Sequence, residues 1–436
     1  MVEKTLDLNL KSAEEGKDLM KETIIEVSEK AKFMVMYTYG VIILLSSLIF
    51  NTPQEIMNGM INIIVDPSIL VSDYMQIGNI GAAFLNSGML TLFSIFLIKK
   101  SNVKMTGTTM AAVFTVAGFA LFGKNIYNVW SIFLGVFLYS KYKNENFGKF
   151  ILPALFGTAL GPIISQVSYG FGTASLTSII VGNLCGIVAG FILPAVATHV
   201  VKFHQGFNLY NVGFTGGLIG TFFMAMFRAF GFENEGRVIL LEGYNLSLSI
   251  YLFVLFGSML LIGMYFNKNT FKGYRNLLSR SGRSVQDFVL LNGFGVSFIN
   301  MGVLGFISTA YILVVRGQLN GPIIGGILTI VGFGAFGKHT KNILPVMLGV
   351  LLAASLMKWE VNAIGPLLAA LFGTTLAPIA GQFGWKAGIV AGFLHMAIVM
   401  NVGQLHGGMN LYNNGFSGGI VAAILVTVLE ALRREA

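Results

Sequence analysis

The chain has 436 residues, of which 55% are hydrophobic and only 11% charged, with a mean hydropathy of +0.75 and a formal charge of +9. A soluble chain carries roughly 25% charged residues, so composition excludes an ordinary water-soluble domain; repeated apolar runs of about 15–25 residues instead fit a hydrocarbon layer about 30 Å thick. The runs are continuous rather than alternating, which argues against a β-barrel, and the Lys and Arg residues cluster in short loops, a pattern of anchoring to anionic lipid rather than of nucleic-acid binding.

In chain order, residues 3–30 alternate acids with lysines around Leu6, Leu8, Leu10, Leu19, Ile24 and Ile25. This N-terminal segment, 1–32, reads either as a cytoplasmic amphipathic helix or as a solvated tail, and shows no cleavable signal. Apolar segments follow at about 33–50, 80–98, 106–122, 127–141, 149–168, 175–200 and 207–231, and then at 246–266, 291–315, 322–336, 342–357, 361–382, 386–402 and 410–432. That is fourteen segments, seven in a first membrane repeat (33–240) and seven in a second (241–436). The single cysteine, Cys185, lies in an apolar run and has no partner for an intrachain disulfide. With the N-terminus inside, Lys99, Lys100, Lys104, Lys141, Lys143, Lys149, Lys202, the basic loop Lys268 to Arg283, and Arg433 and Arg434 all fall inside, while Glu233 and Glu235 fall outside. The positive-inside rule thus predicts a multi-pass protein of the cytoplasmic (inner) membrane with both termini cytoplasmic.

The chain contains one polar, glycine-rich stretch twice. HQGFNLYNVGFTGG at 204–217 matches HGGMNLYNNGFSGG at 406–419. Other blocks recur in the same order: GAAFLNSG (81–88) with GVSFINMG (295–302), VAGFALFGKNIYN (116–128) with IVGFGAFGKHTKN (330–342), and ALFGTALGPIISQ (154–166) with ALFGTTLAPIAGQ (370–382). This is internal duplication. An odd number of segments per half starts the two copies on opposite sides of the membrane. The predicted fold is therefore an all-α polytopic membrane protein of two inverted-topology repeats with broken or re-entrant helices, a plan that places a substrate near the midplane where the repeats meet.

Three sets of residues are candidates to bind a substrate. In the duplicated stretch, Asn208, Asn211, Asn410 and Asn413 offer hydrogen bonds and helix caps, with Thr215 and Ser417 one turn further on. The stretch reads either as a broken helix lining a solute path or as a capped loop before tight helix packing. In the Phe-Gly-Lys elements, Lys124 and Lys338 are followed by Asn128 and Asn342. Short, glycine-interrupted segments at matching places in two halves point to a transport site. If these pairs are hairpins both lysines approach the midplane; if they span fully, the lysines snorkel on opposite faces. Asn86 and Asn300 lie within apolar spans, where an amide either bonds a neighbouring helix or lines a pathway. Pro162 and Pro378 should kink their helices. His395 has Leu193 as its counterpart and reads as packing or as a proton relay.

No histidine, cysteine or acid spacing resembles a metal site, and no nucleotide-binding, hydrolase or kinase motif is present; no cofactor or enzymatic activity is expected. Between Asn79 and Gly231 the only acid is Glu145. Sites built from amides, hydroxyls, lysines and backbone suit a small neutral or anionic solute better than a metal cation.

With its repeats, the whole chain resembles an uncharacterised family of bacterial multi-span proteins, domain of unknown function 1576, a resemblance that implies no activity. MTGTTMAAVFTVAGFALFG (105–123) and ILPALFGTALGPIIS (151–165) also look like segments of urea transporters. That resemblance implies a small-solute pore lined by phenylalanines and backbone oxygens, within inverted five-span repeats that assemble as trimers; this chain departs from it in having seven segments per half. The expected function is a membrane transporter or channel for a small polar or anionic solute, in contact with the lipid bilayer and compatible with a homo-oligomer. The alternatives are a membrane-embedded enzyme or lipid-handling protein, or a structural subunit.

Overall fold

The computed structural model describes residues 24–284 and 286–434, and every statement below concerns these. Most of the 1–32 segment lies outside them; residues 24–28 are not helical, and Glu29 opens the first helix. The first half contains α1 (Glu29–Phe50), α2 (Pro53–Val65), α3 (Ile80–Lys100), α4 (Gly107–Phe119), α5 (Trp130–Tyr142), α6 (Phe147–Gly170), α7 (Leu176–Val200) and α8 (Asn211–Ala229). The second contains α9 (Asn245–Phe266), α10 (Phe294–Val314), α11 (Gly321–Phe333), α12 (Thr340–Leu356), α13 (Ile364–Phe383), α14 (Trp385–Val402) and α15 (Asn413–Arg434). Ten of these are long and apolar enough to cross a membrane, so the protein is an all-α, multi-pass membrane protein. Their lipid-side residues include Leu48, Ile49, Leu246, Val254, Leu261 and Leu176, all exposed, as expected where hydrocarbon rather than water covers the surface.

The segments expected at 106–122 and 322–336 prove shorter. Helices α4 and α11 have 13 residues each, about 20 Å at 1.5 Å per residue, short of the bilayer core. Sequence reasoning extended them because the break that ends each, Ala-Leu-Phe-Gly and Gly-Ala-Phe-Gly, is itself apolar. Gly123 and Gly337 adopt φ of +81° and +91° there, a conformation that glycine takes without steric cost. Helix α2, capped by the Thr52–Glu55 box with Pro53 at its first turn, was not expected from hydropathy.

Pro162 and Pro378 lack the N–H that a helix needs, and both α6 and α13 tighten to a 3₁₀ turn just before them, at Thr158–Leu160 and Thr374–Leu376. Elsewhere glycine brings helices close. A Cβ on Gly135 or Gly190 would lie 2.2 or 2.4 Å from a carbonyl oxygen between α5 and α7, and one on Gly349 or Gly392 would lie 2.1 or 2.0 Å from one between α12 and α14.

Two seams join the halves. In one, α4 and α11 run antiparallel: Gly107 faces Ala335, Ala111 faces Gly332, Gly118 faces Gly325 and Leu121 faces Gly321. In the other, α8 and α15 meet at their starts, where Gly213 and Gly415 approach with a would-be Cβ 3.2 Å from the opposite Cα and the Phe214 and Phe416 rings stack with centroids 6.0 Å apart. Each contact recurs between counterpart residues of the two copies.

The first seam yields a prediction. A Cβ on Gly118 would lie 2.6 Å from the Gly325 carbonyl oxygen, so Gly118→Val should destabilise the protein by about 1–3 kcal/mol or more. Gly236→Ala, with open space around it, should leave stability unchanged. Thermal unfolding of the detergent-solubilised protein measures both; equal midpoints for the two variants would contradict the seam.

Candidate functional site

The breaks after α4 and α11 leave backbone carbonyls and amides without helical partners, and in an apolar interior each must be satisfied. The candidate amides supply much of this. Asn86 Nδ2 donates to the carbonyls of Ala120 (2.6 Å) and Lys124 (2.9 Å), and its Oδ1 accepts from the Ile126 N–H. Asn300 Nδ2 donates to Gly334 (2.8 Å) and Lys338 (2.7 Å). Asn128 and Asn342 donate to the Gly123 and Gly337 carbonyls and accept from the Asn125 and His339 N–H groups. Asn208 and Asn410 reach across the second seam, each donating to a carbonyl of the other half, Gly415 (2.9 Å) and Gly213 (3.2 Å). These six buried amides hold backbone; two of them tie the halves together.

Two acids that the sequence reading passed over do comparable work. Asp73 Oδ1 accepts from the Gly321 N–H at the start of α11 (3.1 Å) and from Met75 (2.9 Å), and Oδ2 accepts from Leu241 (2.9 Å). Asp287 accepts from Gly107 (2.9 Å) and Thr108 (3.1 Å) at the start of α4, and from Leu290 (3.1 Å). Each half therefore caps the other half's short helix with a carboxylate, where helix-end N–H groups favour negative charge. The available signal was position: Asp73 and Asp287 stand at the same separation as Asn86 and Asn300.

Asn211 and Asn413, expected as helix caps, instead tie the first turns of α8 and α15 to the preceding helix and loop. Their Nδ2 atoms donate to the Ala197 and Val399 carbonyls, and their Oδ1 atoms face His204 Nε2 (3.0 Å) and His406 Nε2 (2.9 Å). The amide orientation requires the imidazoles to carry their proton on Nε2. Burial pushes both imidazoles below their ordinary range, His406 to about 4, so both are neutral. Thr215 and Ser417 are buried and donate back to helix carbonyls. Ser417 Oγ also lies 3.3 Å from His395 Nδ1, whose Nε2 lies 2.9 Å from Asn414 Oδ1.

Lys124 and Lys338 are completely buried. Lys338 Nζ donates to Tyr210 (2.5 Å) and Thr374 (2.7 Å), over the Tyr210 ring at 4.4 Å. Lys124 Nζ has no hydrogen-bond partner and lies 5.4 Å from the Phe119 centroid. Between them the Tyr210 and Tyr412 rings meet with centroids 5.1 Å apart, packed on Phe333 and Phe119 at 4.8 and 4.4 Å.

Two cavities approach this aromatic cluster. One, of about 560 Å³, is lined by Phe122, Phe372, Leu411 and Asn413, with Arg228 at its edge. The other, of about 360 Å³, is lined by the counterparts Phe336, Phe156, Leu209 and Asn211, with Lys149 at its edge. Only the second touches Tyr210 and Tyr412. The duplicated motif thus furnishes Asn413 and Asn414 to the first cavity, and Asn211 with the tyrosine pair to the second. Among the described residues, no group of three or more His, Cys, Asp or Glu side chains could hold a metal ion.

The family described as protein of unknown function (DUF1576) matches residues 52–229 and 266–431. The chain belongs to this family. No curated protein and no solved structure matches it. Family membership carries no activity, so the chemistry has to come from the site.

The crossed caps give a prediction. Asp287→Ala leaves the Gly107 and Thr108 N–H groups without an acceptor and should cost at least about 2 kcal/mol, whereas Asp287→Asn, which keeps an acceptor oxygen, should cost about half as much or less. Unfolding midpoints in detergent distinguish the two; an alanine variant as stable as the parent would contradict the cap.

Proposed function

We propose that the protein moves a small polar or anionic solute across the cytoplasmic membrane, through a path between two inverted repeats that is closed at the Tyr210–Tyr412 pair. One observation carries this reading: two cavities, lined by counterpart residues of the two copies, approach one aromatic cluster. A duplicated path blocked by a few side chains is what a gated channel or an alternating-access carrier requires. The reading places Lys124 and Lys338 beside the block, where an ammonium attracts anions and repels cations. Asn211 in one cavity and Asn413 in the other are counterpart amides within reach of a solute. The phenylalanines of both cavities agree with the urea-transporter resemblance of 105–123 and 151–165.

One arrangement favours the membrane-enzyme reading instead. Ser417, His395 and Asn414 form a hydroxyl–imidazole–amide row, the order of nucleophile, base and orienting group in acyl-transfer enzymes. Against it, the Ser417 hydroxyl is buried and within bonding distance of the Asn413 and Asn414 carbonyls. Labelling by a fluorophosphonate that disappears in Ser417→Ala would establish the enzyme; absence of labelling leaves transport.

The direct test is flux into proteoliposomes of nitrate, formate, phosphate, urea and glycerol. At least one should enter faster than into protein-free vesicles. Lys124→Ala combined with Lys338→Ala should slow an anion at least about tenfold, a loss of about 1.4 kcal/mol. Tyr210→Ala combined with Tyr412→Ala should widen the range of solutes admitted. No flux of any of these solutes above protein-free vesicles would overturn the transport reading.

A further inference from the structure

We infer that Lys124, Tyr412 and Thr115 form a binding site for one small oxyanion. The inference rests on the transport reading and narrows its solute class. Lys124 Nζ, Tyr412 Oη and Thr115 Oγ1 are all buried, and none makes a hydrogen bond of good geometry, although the two hydroxyls lie beside each other. They are grouped by one side chain. The Tyr412 ring packs edge-on to Phe119 at 4.4 Å, and Lys124 Nζ lies 5.4 Å from the same ring. Thr115 is four residues before Phe119, on the same face of α4, and stands beside the Tyr412 hydroxyl.

The second copy supplies the comparison. There Lys338 Nζ donates to Tyr210 and Thr374, and Thr329, the counterpart of Thr115, donates to the Gly325 carbonyl at 2.8 Å. The same residue types in the same frame can therefore satisfy one another. In the first copy Thr158, the counterpart of Thr374, is in place and donates to the Leu155 carbonyl, as Thr374 donates to that of Leu371, but the ammonium does not reach the tyrosine. The open copy presents a lysine Nζ and two hydroxyls whose donors no protein group saturates with good geometry.

The chemistry of the ligand follows from that donor set. An ammonium has three donors and no acceptor, and each hydroxyl has one donor to give. A buried ammonium also needs a counter-charge, and among the described residues no carboxylate lies within ion-pair distance of Lys124. A small anion with oxygen acceptors supplies both. A neutral amide such as urea supplies one carbonyl acceptor, brings N–H donors against donors, and leaves the charge uncompensated. Of the three groups, Tyr412 alone lines the 360 Å³ cavity.

The test is anion binding to the full-length protein in detergent, with nitrate and formate as probes, urea as the neutral comparator, and bulky gluconate holding ionic strength constant. Nitrate or formate should raise the unfolding midpoint saturably, and urea at the same concentration should not. Lys124→Met should weaken the apparent affinity about tenfold or more, as expected for loss of a charged hydrogen bond. Tyr412→Phe and Thr115→Val should weaken it by smaller factors, and Lys338→Met should change it far less than Lys124→Met does. Should Lys124→Met fail to fold, the two hydroxyl deletions decide. A response that does not saturate, that urea reproduces, or that survives all three substitutions overturns the site. Flux of a neutral solute without anion binding would overturn the site and leave transport standing; saturable, Lys124-dependent binding without flux would do the reverse.

Discussion

A helix that ends inside an apolar layer exposes N–H and C=O groups that no water can reach, and leaving one bare costs roughly 1–3 kcal/mol or more. The architecture of this protein is governed by that cost. Helices α4 and α11 are too short to span, so their ends lie where backbone must be paired by protein. The solution is reciprocal. Asp73 of one copy caps the helix of the other, Asp287 returns the arrangement, and Asn86 and Asn300 collect the carbonyls at the opposite ends. Because each half completes the other's broken helix, neither half satisfies its own backbone alone.

The breaks so stabilised carry the lysines. A side chain placed just after such a break is held in position by the capping network rather than by its own solvation. This is how two lysine side chains come to be fully buried without, among the described residues, a carboxylate within ion-pair distance. The aromatic cluster is built beside them: Tyr210 and Tyr412 come from the duplicated loops, while Phe119 and Phe333 come from the ends of the short helices. Backbone satisfaction, the aromatic cluster and the charged groups are thus one construction, and the copies differ where Lys338 bonds Tyr210 and Lys124 does not bond Tyr412.

Much of this was legible in the sequence. Hydropathy and duplication gave the all-α membrane class and the helix order, because apolar runs and repeated motifs are local properties. The residues around the breaks were legible too, since glycine, lysine and asparagine stand out in apolar surroundings. Their division of labour was not. Whether Asn86 bonds backbone or solute depends on what lies opposite it, and periodicity does not record that. Asp73 and Asp287 were missed because they sit at segment edges, where an acid looks solvated, and because their partners, Gly321 and Gly107, belong to the other half. The lengths of α4 and α11 were overestimated because Phe122 and Phe336 continue the apolar run past the end of the helix. The His395–Asn414 contact was hidden because neither residue has a polar counterpart in the first copy.

The central claim is that the two copies are inverted, so that their equivalent cavities open to opposite sides. Thr198 and Met400 are counterparts, one in each cavity. In a background with Cys185→Ala, Thr198→Cys and Met400→Cys can be labelled in sealed vesicles of known orientation with a membrane-impermeant thiol reagent. The account predicts labelling of Thr198→Cys from the cytoplasmic face only and of Met400→Cys from the opposite face only. Labelling of both from the same face would contradict it.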